Sequence, residues 1–204
     1  MVSRTGRGFS LLELMIVLSI FLIASVMAMM SIGPALRDAR CNNAYATALT
    51  QLRRSRQTAI DQRKRYIAVF NAPQTIQIFR QDGGTPLPAR VLVSTIQLPT
   101  DIQFRAEPGI PNIVTQSPDN LGTGARAIDL DQGVAGGLQN EVHFFPDGTA
   151  RDVNQNINNG VVYLARPGEL YSSRAVSLFG ATGRIKGWRL VPNGGPGTPR
   201  WIQQ

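Results

Sequence analysis

Nineteen consecutive uncharged residues, Leu14 to Ile32, constrain this chain more than any other feature, and only Ser19, Ser25 and Ser31 interrupt their apolar character. A helix needs roughly 17–25 such residues to cross a bilayer, and this run has that length. One carboxylate, Glu13, stands at its start, and Arg4 and Arg7 precede it. The two arginines should stay in the cytoplasm, which sends the rest of the chain across the membrane. Gly33-Pro34 closes the run, and a helix break is expected at Pro34 because proline lacks the amide donor and crowds the preceding turn.

Three arrangements satisfy a basic start and an apolar run. A secretory signal peptide would be cut at a small-residue site, and Val26-Met27-Ala28 is a passable one. A plain signal anchor would keep the whole segment. Both leave Glu13 unexplained, since a charge costs about 2–4 kcal/mol or more inside a membrane unless a partner relieves it. Cleavage ahead of the run, after Gly8, makes Phe9 a new N-terminus with a free amine. Glu13 then lies one turn further on, at the positive end of the helix dipole. There it can meet the N-terminal amine of a neighbouring helix and set the register of side-by-side packing.

Gly8-Phe9-Ser10-Leu11-Leu12-Glu13 resembles the class III leader junction of type IV pilins and type II secretion pseudopilins. The resemblance implies cleavage between Gly8 and Phe9 by prepilin peptidase and N-methylation of Phe9. It also implies a single-pass inner-membrane subunit with a cytoplasmic N-terminus and a periplasmic C-terminal domain. Such a subunit later packs into a pilus or pseudopilus through its apolar helix, with Glu13 as an assembly contact. The implied partners are other pilins or pseudopilins and the inner-membrane assembly platform.

Beyond Pro34 the helical pattern resumes, with no proline or glycine between Ala35 and Arg65. Small apolar residues such as Ala44, Ala48, Leu52 and Ala59 should lie on a sheet, with Arg37, Arg40, Arg53, Arg54 and Arg56 pointing outward. Strand signals follow: 66–70 and 74–79 around Asn71-Ala72-Pro73 read as a hairpin. Further strands are expected at 90–98, 102–104, 125–130, 141–145, 161–165, 175–179 and 185–191. Residues 107–124 are rich in Pro, Asn and Gly and read as a long loop with one brief strand near Ile113. Residues 192–204 read as a mobile Gly/Pro-rich tail. The expected class is α+β, a long helix on an antiparallel sheet body. Its divisions are a leader at 1–8, a membrane or filament-core helix at 9–33, a globular domain at 34–191 and the tail at 192–204.

Two further stretches narrow the resemblance. Leu52 to Ile60 is similar to an "L-x-x-A-R-S-x-A-I" helix ending, with Arg54 where alanine is usual. Val142-His143-Phe144-Phe145-Pro146-Asp147-Gly148-Thr149-Ala150 is similar to an "F-x-P-D-G" strand and turn, and residues 174–186 look like a closing hairpin. Together these resemble the GspH/FimT (FimU-like) minor pilin or pseudopilin group, which implies a pilin fold and a minor subunit that primes or caps a filament.

Enzyme chemistry finds no constellation. His143 is the single histidine, alternating within a strand, and no Ser–His–Asp or Cys–His set can be assembled around it. Asp129 and Asp131 share a strand face if extended and would suit a hard cation, but no further acidic oxygens cluster beside them. Gly83-Gly84 and Gly136-Gly137 lack the lysine or helix that a phosphate loop needs. Cys41, the single cysteine, rules out an internal disulfide and a cysteine metal cluster. No cofactor and no metal are expected. The net charge of +8 suits DNA, anionic lipid or an acidic protein, or serves solubility alone. Gly183-Arg184-Ile185-Lys186 resembles the "G-R-x-R" pattern of DNA-uptake members of the group, with lysine for the second arginine. That implies phosphate contacts from Arg184, Lys186 and Arg189, and Trp188 and Trp201 could stack on exposed bases.

Overall fold

A computed structural model describes residues 10–82, 89–111, 113–122, 124–130, 140–193 and 199–204. Two compact units divide the chain, Met1–Ala39 and Arg40–Gln204. The helix α1, Leu11–Gln62, contributes to both.

In the first unit Ser10 opens α1. Its carbonyl accepts from the Leu14 amide and its hydroxyl accepts from the Glu13 amide, both at 3.2 Å. A serine in this position satisfies one of the four orphan amides of a helix start. Ser19 and Ser25 return their hydroxyls to the carbonyls four residues earlier, so neither presents an unpaired donor to an apolar surrounding. The break expected at Pro34 does not interrupt the element, because α1 is continuous through it. One missing amide removes a single rung, and the apolar turns before it and the alanine-rich turns after it carry the helix across.

The second unit is built on the later turns of α1. Cys41, Ala44, Tyr45, Ala48, Leu52, Ser55 and Ala59 are buried along one stripe at spacings of three and four. Small side chains dominate, which lets strands approach the helix closely. The helix ends where Arg63 turns left-handed (φ 52°) and the Lys64 amide bonds the Ala59 carbonyl.

Among the described residues eleven strands follow: β1 (Arg65–Asn71), β2 (Thr75–Gln81), β3 (Val91–Gln97), β4 (Gln103–Phe104), β5 (Ile128–Asp129), β6 (Glu141–Phe144), β7 (Ala150–Arg151), β8 (Gly160–Ala165), β9 (Arg174–Phe179), β10 (Arg184–Val191) and β11 (Arg200–Gln203). They form two antiparallel sheets, ordered β3-β2-β1-β6-β7 and β11-β10-β9-β8-β4, with β5 also on the β8 edge. Phe70, Ile76, Val142 and Phe144 from the first sheet share one core with Val162, Leu164, Val176 and Leu178 from the second. Phe70 and Phe104 meet edge to face, with centroids 5.6 Å apart.

Strand β8 is buried along its whole length. Alternation sends Val162 and Leu164 to the helix side, while Val161 and Tyr163 join Ile110, Ala175, Leu190 and Trp201 in a second cluster on the other side. Burial raises the Tyr163 hydroxyl above its ordinary range, and the charge of Asp129 adds to the rise.

The α+β class and the 66–79 hairpin appear as expected, with Asn71 opposite Thr75. The sheet body consists of two sheets. Three expectations are corrected. The strand anticipated near Ile113 is replaced by 3-10 turns at Val114–Gln116 and Pro118–Asn120. Only Ile128–Asp129 of the 125–130 stretch pairs as a strand. The C-terminal stretch is not all tail: β11 pairs with β10, Trp201 opposite Leu190. Four residues sufficed there, because Trp201 supplies apolar area to the second cluster.

Candidate functional site

Two regions carry the sequence expectations, and each sits in one unit. In the first, Glu13 lies in the opening turn of α1 and is exposed. Gly8 and Phe9 lie outside the described residues. From Leu11 to Met29 the large side chains face outward on every side, with Leu11 77%, Phe21 67% and Met29 78% exposed. An all-round apolar helix of this length has only two stable surroundings, lipid or other helices.

In the second unit, β10 carries the expected cations on opposite faces. Strand parity places Arg184 and Lys186 on the face away from α1, and Arg189 opposite Arg174 on the other face. Arg189 is half-buried, so the three do not form one contact surface. Trp201 is also withdrawn, at 9% exposure and 5.7 Å centroid to centroid from Tyr163. It cannot stack on a base from that position. Trp188 is half-buried and donates its Nε1–H to the Ser177 hydroxyl at 2.9 Å.

A residue that sequence reasoning passed over organises this face. Asp119, held left-handed at φ 54° within the second 3-10 turn, accepts from Lys186 Nζ at 2.9 Å and from Arg184 at 3.4 Å. The Ser177 hydroxyl donates to its other oxygen at 2.7 Å. Aspartate tolerates the left-handed region better than most residues. No local pattern announces a contact across 67 residues.

The arginines of α1 are not all turned outward. Arg53 donates to the Ile185 carbonyl at 3.2 Å. Arg56 donates from Nε to the Gly148 carbonyl (3.0 Å) and from Nη2 to the Thr182 carbonyl (2.9 Å). Gly148 closes the Pro146-Asp147-Gly148 turn at φ 81°, and Asp147 accepts from the Thr149 amide at 2.9 Å, as an aspartate turn requires. Arg53, Arg54, Arg56 and Arg184 line a groove of about 810 Å³.

His143 has a structural role. It is 1% exposed, and its Nε2–H donates to Glu141 at 2.7 Å. Arg90 grips the same carboxylate with two nitrogens at 2.8 and 3.0 Å. Burial alone would raise the Glu141 carboxyl, but the bonds from His143 and Arg90 outweigh it and hold it at about 2. Asp131 and both Gly-Gly pairs lie outside the described residues. Among the described residues no group of three or more His, Cys, Asp or Glu could hold a metal.

Residues 3–29 match the family model described as the prokaryotic N-terminal methylation motif. The match covers the basic start and most of the apolar run, and not the sheet body. Neither the curated proteins nor the solved structures contain a match to this chain. The chain therefore carries a type IV pilin-like prepilin leader of the kind processed by prepilin peptidase, ahead of an apolar helix that fits a single-pass inner-membrane protein.

Proposed function

We propose that this protein is a minor pilin or minor pseudopilin that primes or caps a type IV pilus or type II secretion pseudopilus. The observation that carries the reading is the methylation motif at 3–29 set on a helix whose described apolar side chains are exposed. Prepilin peptidase cuts between Gly8 and Phe9, Phe9 is N-methylated, and the body from Pro34 onward lies in the periplasm. Glu13, at the opening of an otherwise uncharged run, pairs with the amine of a neighbouring subunit. In lipid that pairing relieves a desolvation cost, so it selects the register in which helices pack. The pilin-like α+β body and the closing hairpin support placement with the GspH/FimT group.

Mass spectrometry of the mature N-terminus tests the processing step: a methylated Phe9 is expected, and a start at Met29 overturns it. Glu13→Ala should insert in the membrane normally yet fail to assemble with partner pilins. Full incorporation of that variant removes the assembly role.

A second reading, DNA capture, is supported by the arginine groove that joins Arg53, Arg54 and Arg56 of α1 to Arg184 of β10. Such a groove would hold phosphates without reading sequence, so affinity should fall steeply with salt. A gel shift of residues 34–204 at low salt, with Arg184 and Lys186 changed to alanine, tests it. Absence of any shift in the unaltered protein excludes this reading.

A further inference from the structure

The face of β10 away from α1 carries a groove of about 650 Å³, which shares Arg184 with the arginine groove. The second 3-10 turn forms one wall with Asp119 and Asn120. Strands β10 and β11 form the other with Arg184, Trp188, Arg200 and Trp201. Every one of these residues belongs to the second unit.

The groove combines three chemistries. Trp188 presents a half-buried aromatic wall whose Nε1–H is already committed to Ser177. Trp201 is nine-tenths buried, and its Nε1–H has no acceptor among the described residues. A buried donor left unpaired costs on the order of 1–3 kcal/mol. Asp119 accepts from Ser177, Lys186 and Arg184, which offsets its charge and leaves the exposed Arg200 as a cation at the rim.

We propose that this groove binds a saccharide that carries a carboxylate. A pyranose offers an apolar C–H face to Trp188, and hydroxyls that both donate and accept beside Asp119 and Asn120. Its carboxylate meets Arg200, whose planar fork matches two oxygens. A phosphodiester strand fits less well, because its backbone supplies acceptors alone and has no donor for the Asn120 amide oxygen or the Asp119 carboxylate.

Trp188 and Trp201 are the two tryptophans of the chain, and both line the groove, so intrinsic fluorescence reports its occupancy directly. The full chain in a detergent without a sugar headgroup is titrated with trigalacturonic acid, with maltotriose and with a single-stranded oligonucleotide. A saturable change with trigalacturonic acid is expected, at least tenfold tighter than with maltotriose. Arg200→Ala should weaken it about tenfold with an unchanged circular dichroism spectrum. Trp188→Phe retains Trp201 as reporter and should also weaken binding. No saturable change with either saccharide overturns the proposal, as does an unchanged affinity in Arg200→Ala. Equal affinity for maltotriose overturns the carboxylate selectivity, and a response to the oligonucleotide alone assigns the groove to nucleic acid instead. None of these outcomes bears on the maturation of Phe9, so the groove and the assembly role fail separately.

Discussion

The Asp119 carboxylate stands 2.9 Å from the Lys186 ammonium, so the strand face richest in cations carries its own counterion. Asp119→Asn keeps the shape of the turn and releases both Lys186 and Arg184. The variant should elute from heparin at higher salt than the parent protein. Its log affinity for duplex DNA should fall more steeply with log salt, by a slope of about one to two. Unchanged elution would mean that the ion pair does not limit access to these cations.

Arg174 is 1% exposed and joins β9 to α1 through Asn42, which accepts from its Nε and Nη2 at 3.2 and 3.0 Å. Its Nη1 serves the carbonyls of Tyr171, Ser172 and Ser173. Arg174→Met fills the volume but strands those carbonyls, and should cost about 3 kcal/mol in chemical denaturation. Asn42→Ala should cost about 1–2 kcal/mol, and the double variant less than the sum, because the two share a contact.

The Glu141 carboxyl titrates at about 2 in the fold against an ordinary 4.5. A depressed carboxyl contributes stability that is complete above its unfolded value and is lost as pH falls through its folded one. The decline therefore lies between about pH 4.5 and 2. Glu141→Gln should lower stability by about 2 kcal/mol at neutral pH. Its curve should meet the parent's near pH 2, as denaturation measured across that range will show.

Gly187 faces Tyr45 so closely that an added Cβ would fall on the phenol hydroxyl. Gly187→Ala should cost about 2 kcal/mol through displacement of Tyr45 from the core. Tyr45→Ala opens that space, so combining the two should restore part of the loss. Thermal unfolding of the four proteins measures the coupling.

Elements with a strong local signal were readable in the residues themselves. The small-residue stripe from Ala44 to Ala59 gave the helix, and the β-branched runs gave β1, β2, β8, β9 and β10. The cap at Ser10 was also written there, as Ser-x-x-Glu. What escaped depends on partners far along the chain. Asp119 means nothing until residues 114–120 fold back on β9 and β10. Trp201 looked like part of a Gly/Pro tail because its strand is four residues long and gains its stability from Leu190 and Tyr163. Arg53 and Arg56 looked solvated because a guanidinium that bonds a carbonyl has the same sequence neighbours as one that bonds water.

Arg56 bonds a carbonyl in the β6–β7 turn and another in the β9–β10 turn, and these turns belong to different sheets. Tension applied along α1 within the second unit would therefore load both sheets at once, in shear. The helix should resist extraction as one mechanical unit and release in a single event, rather than peel from one sheet and then the other. Single-molecule pulling would record one force peak for the parent protein and a lower peak for Arg56→Ala.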